Sequence, residues 1–164
     1  MVFQLDHEDV YEGGIKDGEY EVIIKHAKED ATQSGAEYAE FDLVVRNDLE
    51  QKHKNQHIFH KVWKKKDTGK YNMKMFNTMG KACQLQNGKQ YKSMQELLDD
   101  FAGKVAIVSV KNEESEYNGQ TYNNLNVKSW KQSKFPNSQH QFQNSDRQDH
   151  EGQSVQVNDS EMPF

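Results

Sequence analysis

Gln56-His57-Ile58-Phe59-His60-Lys61-Val62-Trp63-Lys64-Lys65-Lys66, followed at once by Asp67-Thr68-Gly69-Lys70-Tyr71-Asn72-Met73-Lys74-Met75-Phe76, changes its periodicity half-way. In the first part Ile58, His60 and Val62 alternate with His57, Phe59, Lys61 and Trp63, the period of two that marks a strand from Gln56 to Lys64. Asp67-Thr68-Gly69 breaks it. In the second part Met73, Phe76 and Met79 recur at helical spacing, with Cys83 extending the face and Asn87-Gly88 stopping the segment. A strand handing over to a helix in mid-chain constrains what flanks it.

Upstream, Tyr20, Val22 and Ile24 alternate with Glu21, Ile23 and Lys25, a strand within Glu19 to Glu29. After the polar stretch Asp30 to Gly35, Ala39, Phe41, Leu43 and Val45 share one face of a second strand, and Asn47-Asp48 begins a turn. Downstream, Ser93-Met94-Gln95-Glu96 has capping-box spacing, and Met94, Leu97, Leu98 and Phe101 form an amphipathic stripe ended by Gly103. Lys104 to Lys111 is apolar on both faces, so a fourth strand there is central. Asn118-Gly119 is a hairpin signal, and Gln120 to Trp130 is the returning fifth strand.

Three strands, a helical insertion and two strands give a mainly β protein with the connectivity of the five-stranded Greek-key barrel known as the OB-fold. The helical insertion between the third and fourth strands would plug the barrel's open end. A generic α+β sheet is the competing architecture. The texture changes beyond Lys134: the rest is rich in Gln, Asn, Ser, Asp and His, with Phe142, Val155, Val157, Met162 and Phe164 as its larger apolar residues after Phe135, and it holds both prolines. Such a segment buries too little surface to offset its ordering entropy. The expected organisation is therefore a domain over 1–134 and a disordered acidic tail over 135–164.

The net charge is -5 over 164 residues, and it is unevenly spread. Residues 1–42 carry -9, whereas residues 43–92 carry +9, with twelve Lys or Arg against three acids. Residues 93–134 carry -1 and 135–164 carry -4. An acidic protein with one concentrated basic block still attracts a polyanion, because local field outweighs total charge. No apolar run reaches membrane-span length and the start lacks a basic leader, so the expected location is the cytoplasm, away from membranes. The lone Cys83 forms no intramolecular disulfide and no cysteine-rich zinc site; it is expected to pack.

Single-strand binding needs cations to track phosphates and flat rings to stack on bases of any identity. The basic block offers Arg46, Lys52, Lys54, Lys61, Lys64, Lys65, Lys66, Lys70 and Lys74 as cations, interleaved with Phe59, Trp63 and Tyr71. Phe59, Lys61 and Trp63 share one side of their strand. Alternation leaves two arrangements open: these rings face outward to stack on bases, or they face the interior and Ile58 and Val62 lie outside. Tyr117 and Tyr122, flanking the Asn118-Gly119 turn, form a second candidate surface, although Glu113, Glu114 and Glu116 would repel phosphates there. Trp130 is expected in the core.

Catalysis is not expected. His53, His57 and His60 have no carboxylate or thiolate at ligand spacing and are read as surface histidines, Asp99 and Asp100 diverge on a helix, and no Gly-rich phosphate loop occurs. No enzyme activity, cofactor or metal is anticipated.

The C-terminus Asp159-Ser160-Glu161-Met162-Pro163-Phe164 combines a free carboxylate, an apolar ring, a rigidifying proline and upstream acids, a compact ligand for an apolar pocket rimmed by Lys or Arg. This tip resembles the acidic, Pro-Phe-terminated tip of bacterial single-stranded DNA-binding proteins. Gly18-Glu19-Tyr20-Glu21-Val22, then Val45-Arg46-Asn47-Asp48 with Gln51, and Tyr117-Asn118-Gly119-Gln120-Thr121-Tyr122-Asn123 resemble a family of single-stranded DNA-binding proteins encoded by phages of low-GC Gram-positive bacteria. That resemblance covers roughly 10–134 and the tip. It implies a role in DNA replication, recombination and repair, with Asp159, Glu161, Met162, Pro163 and Phe164 binding phage or host enzymes; Met162 stands where the tip usually has Ile. An RNA-binding OB module and an adaptor without nucleic acid are the alternatives, and assembly into a homo-oligomer is left open.

Overall fold

The computed structural model describes residues 3–5 and 14–142. The elements are β1 (Gly18–Ala31), β2 (Glu37–Val45), β3 (His57–Trp63), α1 (Met73–Ala82), α2 (Met94–Phe101), β4 (Val105–Tyr117) and β5 (Gln120–Lys131). The strands form one five-stranded antiparallel open sheet in the order β3-β2-β1-β4-β5. Both helices lie in the connection from β3 to β4, as the change of period predicts. Among the described residues no helix is long and apolar enough to cross a membrane.

β1 organises the sheet. Its first part, Gly18 to Ile23, pairs with β4, and from Val22 onward it pairs with β2, with a bulge between Ile24 and His26. A bulge adds bend and twist, which curls the sheet about its inner face. Val22, Ile24, Phe41, Leu43 and Val45 fill that face. Phe76 and Met79 of α1 and Leu97, Leu98 and Phe101 of α2 join the same core, and Phe41 meets Phe101 edge to face at 5.3 Å between ring centroids.

The helix ends show how local sequence was satisfied. Ser93 caps α2 by accepting from the Glu96 N–H at 3.2 Å, while the Glu96 carboxylate reaches back to the Lys92 N–H at 3.4 Å, one residue earlier than a capping box requires. α1 is capped by Asn72, whose side chain accepts from the Lys74 N–H. It ends at Ala82, ahead of the expected Asn87-Gly88 stop. Gln84 turns to φ 62°, donating its N–H to Lys81, and the Leu85 N–H reaches the Gly80 carbonyl at 2.9 Å, a Schellman closure made without glycine. Cys83 is buried beside this end, and burial pushes its thiol pKa up to about 12.

β4 runs six residues past the expected Lys111. Apolar alternation stops there, but Asn118 and Gly119 adopt φ 53° and 77°, the left-handed pair of a tight hairpin turn, and the ladder to β5 continues to Tyr117↔Gln120. Beyond Val110, β4 pairs with β5 alone, so the hairpin arm stands clear of the sheet.

Residues 135–142, assigned to the tail by sequence texture, lie against the turn after β2. The Arg46 guanidinium is fully buried there, where the charge block had suggested a surface cation. It holds Asp48 through two bonds, at 3.0 and 2.7 Å, and donates to the Phe135 carbonyl at 2.8 Å and to Ser133 Oγ at 3.1 Å. Asn47 donates its N–H to His140 Nδ1 and exchanges bonds with Gln141, and the Gln139 N–H donates to Asp48. Phe142 then packs on Ile23, Val44 and Val105, an apolar patch on the sheet's other face. Residues 143–164, and with them Asp159, Glu161, Met162, Pro163 and Phe164, lie outside the described residues.

Candidate nucleic-acid interface

Register decides which way β3 faces. Ile58, His60 and Val62 stand opposite Leu43, Phe41 and Ala39, the inner residues of β2, and are buried with them. Phe59, Lys61 and Trp63 therefore point outward, with Phe59 55% and Trp63 46% exposed, too open for core residues. Exposed large rings in a row need a partner to be explained.

The ring row is wider than β3. Tyr38 of β2 is the cross-strand neighbour of Trp63, their ring centroids 4.7 Å apart, and Lys61 Nζ lies 4.8 Å from the Tyr38 centroid and 5.8 Å from that of Trp63. Phe59 stacks on His57 at 5.9 Å with the planes 14° apart. His57 Nδ1 is 2.6 Å from a carboxylate oxygen of buried Asp42, which also faces His26 at 3.7 Å. Across an adjoining cavity of about 520 Å³ the opposite wall is Asn123 to Val127 of β5. Tyr38 and the β5 asparagines were missed in the sequence. Tyr38 was findable, since it has the outward parity of Glu40 and Asp42; the asparagines reach the site only through the sheet's curl.

The lysines sort by their partners. Lys64 is held by Glu37 at 3.1 Å and lies over the Tyr71 ring, and Lys54 pairs with Glu50. Lys65, Lys66 and Lys70 sit on the turn after β3, closed by the Lys65 N–H to Lys70 carbonyl bond at 2.8 Å with Gly69 at φ 69°, and all three are exposed. Lys52 and Lys74 are exposed as well. Tyr71 is half-buried, packs edge-on against Phe76 and donates to Glu29 at 2.8 Å; burial first, then that carboxylate, raises its pKa. It buttresses the lysine turn and offers no free face like that of Trp63.

Three expectations change. Arg46 is a buried clamp with its donors committed, so it leaves the candidate site. His60 is buried, and desolvation lowers its pKa to about 4, where a surface histidine was expected. Tyr117 and Tyr122 are 67% and 44% exposed on the hairpin arm, but Glu113, the acid nearest the sheet, is paired with Lys128 and accepts a hydrogen bond from Asn126, and so repels phosphate less than its sequence neighbours suggest. A larger cavity of about 880 Å³ opens between the end of α1 and the approach to α2, away from the ring row. Its Lys89 is committed to Asp100 and to the Tyr91 ring. No group of His, Cys, Asp and Glu fit to hold a metal ion occurs among the described residues.

A family model described as "Protein of unknown function (DUF669)" matches residues 3–140. The chain belongs to this family. Among curated proteins none matches. The DUF669 region takes in the ring row, the lysine turn and the hairpin arm, and it runs past Lys134 to His140, the residue whose Nδ1 accepts from the Asn47 N–H. Glu21, Arg46, Asn47, Asp48 and Gln51, prominent in the sequence motifs, form one hydrogen-bonded node in this DUF669 chain: Gln51 bridges the Glu21 backbone and the Arg46 carbonyl, and the Glu21 carboxylate accepts from Ser133 and the Lys134 N–H.

Proposed function

We propose that this protein binds single-stranded DNA without sequence preference, on the outward face of β3 with Tyr38 and the lysine turn, and serves phage DNA replication and recombination. The observation that carries the reading is the row Phe59, Lys61 and Trp63, exposed together beside Lys65, Lys66 and Lys70. Rings at this spacing offer stacking to any base, and exposed ammonium groups neutralise phosphates. The strand order β3-β2-β1-β4-β5, with helices between β3 and β4, is that of an OB-fold opened between β3 and β5, and it supports that architecture. The tip from Asp159 to Phe164 is the recruiting element for partner enzymes.

The test is a titration of oligo-dT, oligo-dA, duplex and RNA at several salt concentrations. Oligo-dT is expected to bind, and Trp63→Ala to weaken it by about 1–3 kcal/mol with the fold intact. Joint replacement of Lys65, Lys66 and Lys70 by Gln should lower the log-log salt slope by about 2, at roughly 0.7 per phosphate contact on a single strand. No salt-dependent binding to any strand would leave an adaptor role, and preference for RNA would move the reading to an RNA module. Deleting Phe164 should abolish capture of host replication proteins while leaving oligo-dT affinity equal or higher.

A further inference from the structure

β3 and β5 are both edge strands, and no strand ladder joins them among the described residues. Side chains fill the seam. His60 of β3 and Trp130 of β5 meet there with ring centroids 5.6 Å apart, each about nine-tenths buried. Neither His60 Nε2 nor Trp130 Nε1 has a hydrogen-bond partner among the described residues. An indole N–H can only donate, and an unsatisfied buried donor is costly, so native cores rarely keep one without a use for it. Here two unpartnered nitrogens belong to rings that meet at the seam.

Two cavities adjoin His60, and Trp130 borders one of them. The cavity under Phe59 and Trp63 has His60 in its wall, and a second cavity of about 220 Å³ is lined by His60, Trp130, Lys74 and Thr78. His60 thus belongs to the floor of the ring row and to the space behind it.

We propose that the seam between β3 and β5 is a base slot, in which one nucleobase leaves the outer stack and presents its polar edge to Trp130 Nε1 and His60 Nε2. The inference rests on the single-strand reading above. Every nucleobase has an acceptor nitrogen or carbonyl on its edge for the indole N–H. Neutral imidazole offers Nε2 as acceptor or donor according to its tautomer, matching either an exocyclic amine or a carbonyl. Burial keeps His60 neutral well below pH 6.5. One fixed donor beside one adaptable partner admits all four bases, in keeping with binding that ignores sequence. Entry breaks no strand ladder; it parts the His60 and Trp130 rings, whose nitrogens are closed off from solvent, and gives both their bonds. Lys74, exposed at the second cavity, supplies a cation for the phosphate of the inserted nucleotide.

The chain has two tryptophans, so Trp63→Phe leaves Trp130 as the sole indole while keeping a ring on the outer face. In this full-length variant, oligo-dT is expected to change Trp130 emission with the midpoint seen by anisotropy of a labelled strand, and an abasic strand of equal length is expected to leave it unchanged. Emission constant through saturation, or an equal response to the abasic strand, overturns the slot. Failure of the wild-type protein to bind any single strand overturns the underlying reading instead. Separately, His60→Phe with Trp130→Phe keeps the rings and removes both nitrogens; oligo-dT affinity should fall about tenfold, within the range of one lost base contact, while melting stays level or rises. Undiminished affinity of the folded variant would make the pair a packing contact and sink the proposal.

Discussion

At His60, burial lowers the imidazole pKa from 6.5 to about 4, and the consequence for stability has a definite sign. The unfolded chain takes up a proton below pH 6.5, whereas the folded chain does so only near 4. Stability contributed by the neutral ring is therefore complete above 6.5 and is lost as pH falls from 6.5 to 4, on the order of 3 kcal/mol in all. Asp48, held down chiefly by its bond from Arg46, loses its contribution only as pH falls below the ordinary carboxylate range, so the two windows separate. Melting temperature followed from pH 7 to 4 at fixed salt should decline, and His60→Phe should flatten that decline. Arg46 obeys the same logic of partners. Arg46→Ala strips Asp48 and Glu21 of a buried counter-charge and should cost about 3–5 kcal/mol by denaturant unfolding. The Arg46 role was not legible in the sequence, because composition shows a cation while its partners stand as far off as Phe135.

Elements were more legible than single side chains, and the reason is physical. Period two in Ala39 to Val45 and period 3.6 in Met94 to Phe101 follow directly from backbone geometry, and each predicted element formed where its periodicity placed it. The β3 pattern alone could not say whether Trp63 or Val62 lay inside; pairing to β2 supplied that answer. Element ends were less legible, since α1 closes on Gln84 in the left-handed region and no glycine signals it. A residue with a Cβ is strained at φ 62°, so Gln84→Gly should stabilise the domain by about 0.5–1 kcal/mol, read as a rise in melting temperature. Ser93→Ala, which strips α2 of its cap on the Glu96 N–H, should cost about 1 kcal/mol in the same assay.

At the scale of the molecule, charge and order are partitioned along different boundaries. The basic block of residues 43–92 supplies both the outward ring row of β3 and the buried Arg46 node, while the acidic tail begins, by composition, at Phe135. The packed part does not stop at that point. Ser133, Phe135, Gln139, His140 and Gln141 satisfy polar groups of Arg46, Asn47 and Asp48, and Phe142 covers Ile23, Val44 and Val105. A fragment ending at residue 134 would leave the Asp48 and Asn47 groups to water and the apolar patch bare, and the Arg46 guanidinium would lose the Phe135 carbonyl. Each bond to a charged group contributes about 1.5–3 kcal/mol, and the partly buried Phe142 ring adds about 1 kcal/mol, less than the roughly 1.5–3 kcal/mol of full burial. Fragments 1–134 and 1–142 should therefore differ by several kcal/mol in urea unfolding, the longer being the more stable. Both retain the ring row and the lysine turn, so their oligo-dT affinities should agree wherever both are folded. Equal stability of the two fragments would show that the contacts of 135–142 contribute nothing net, and would return the domain boundary to Lys134.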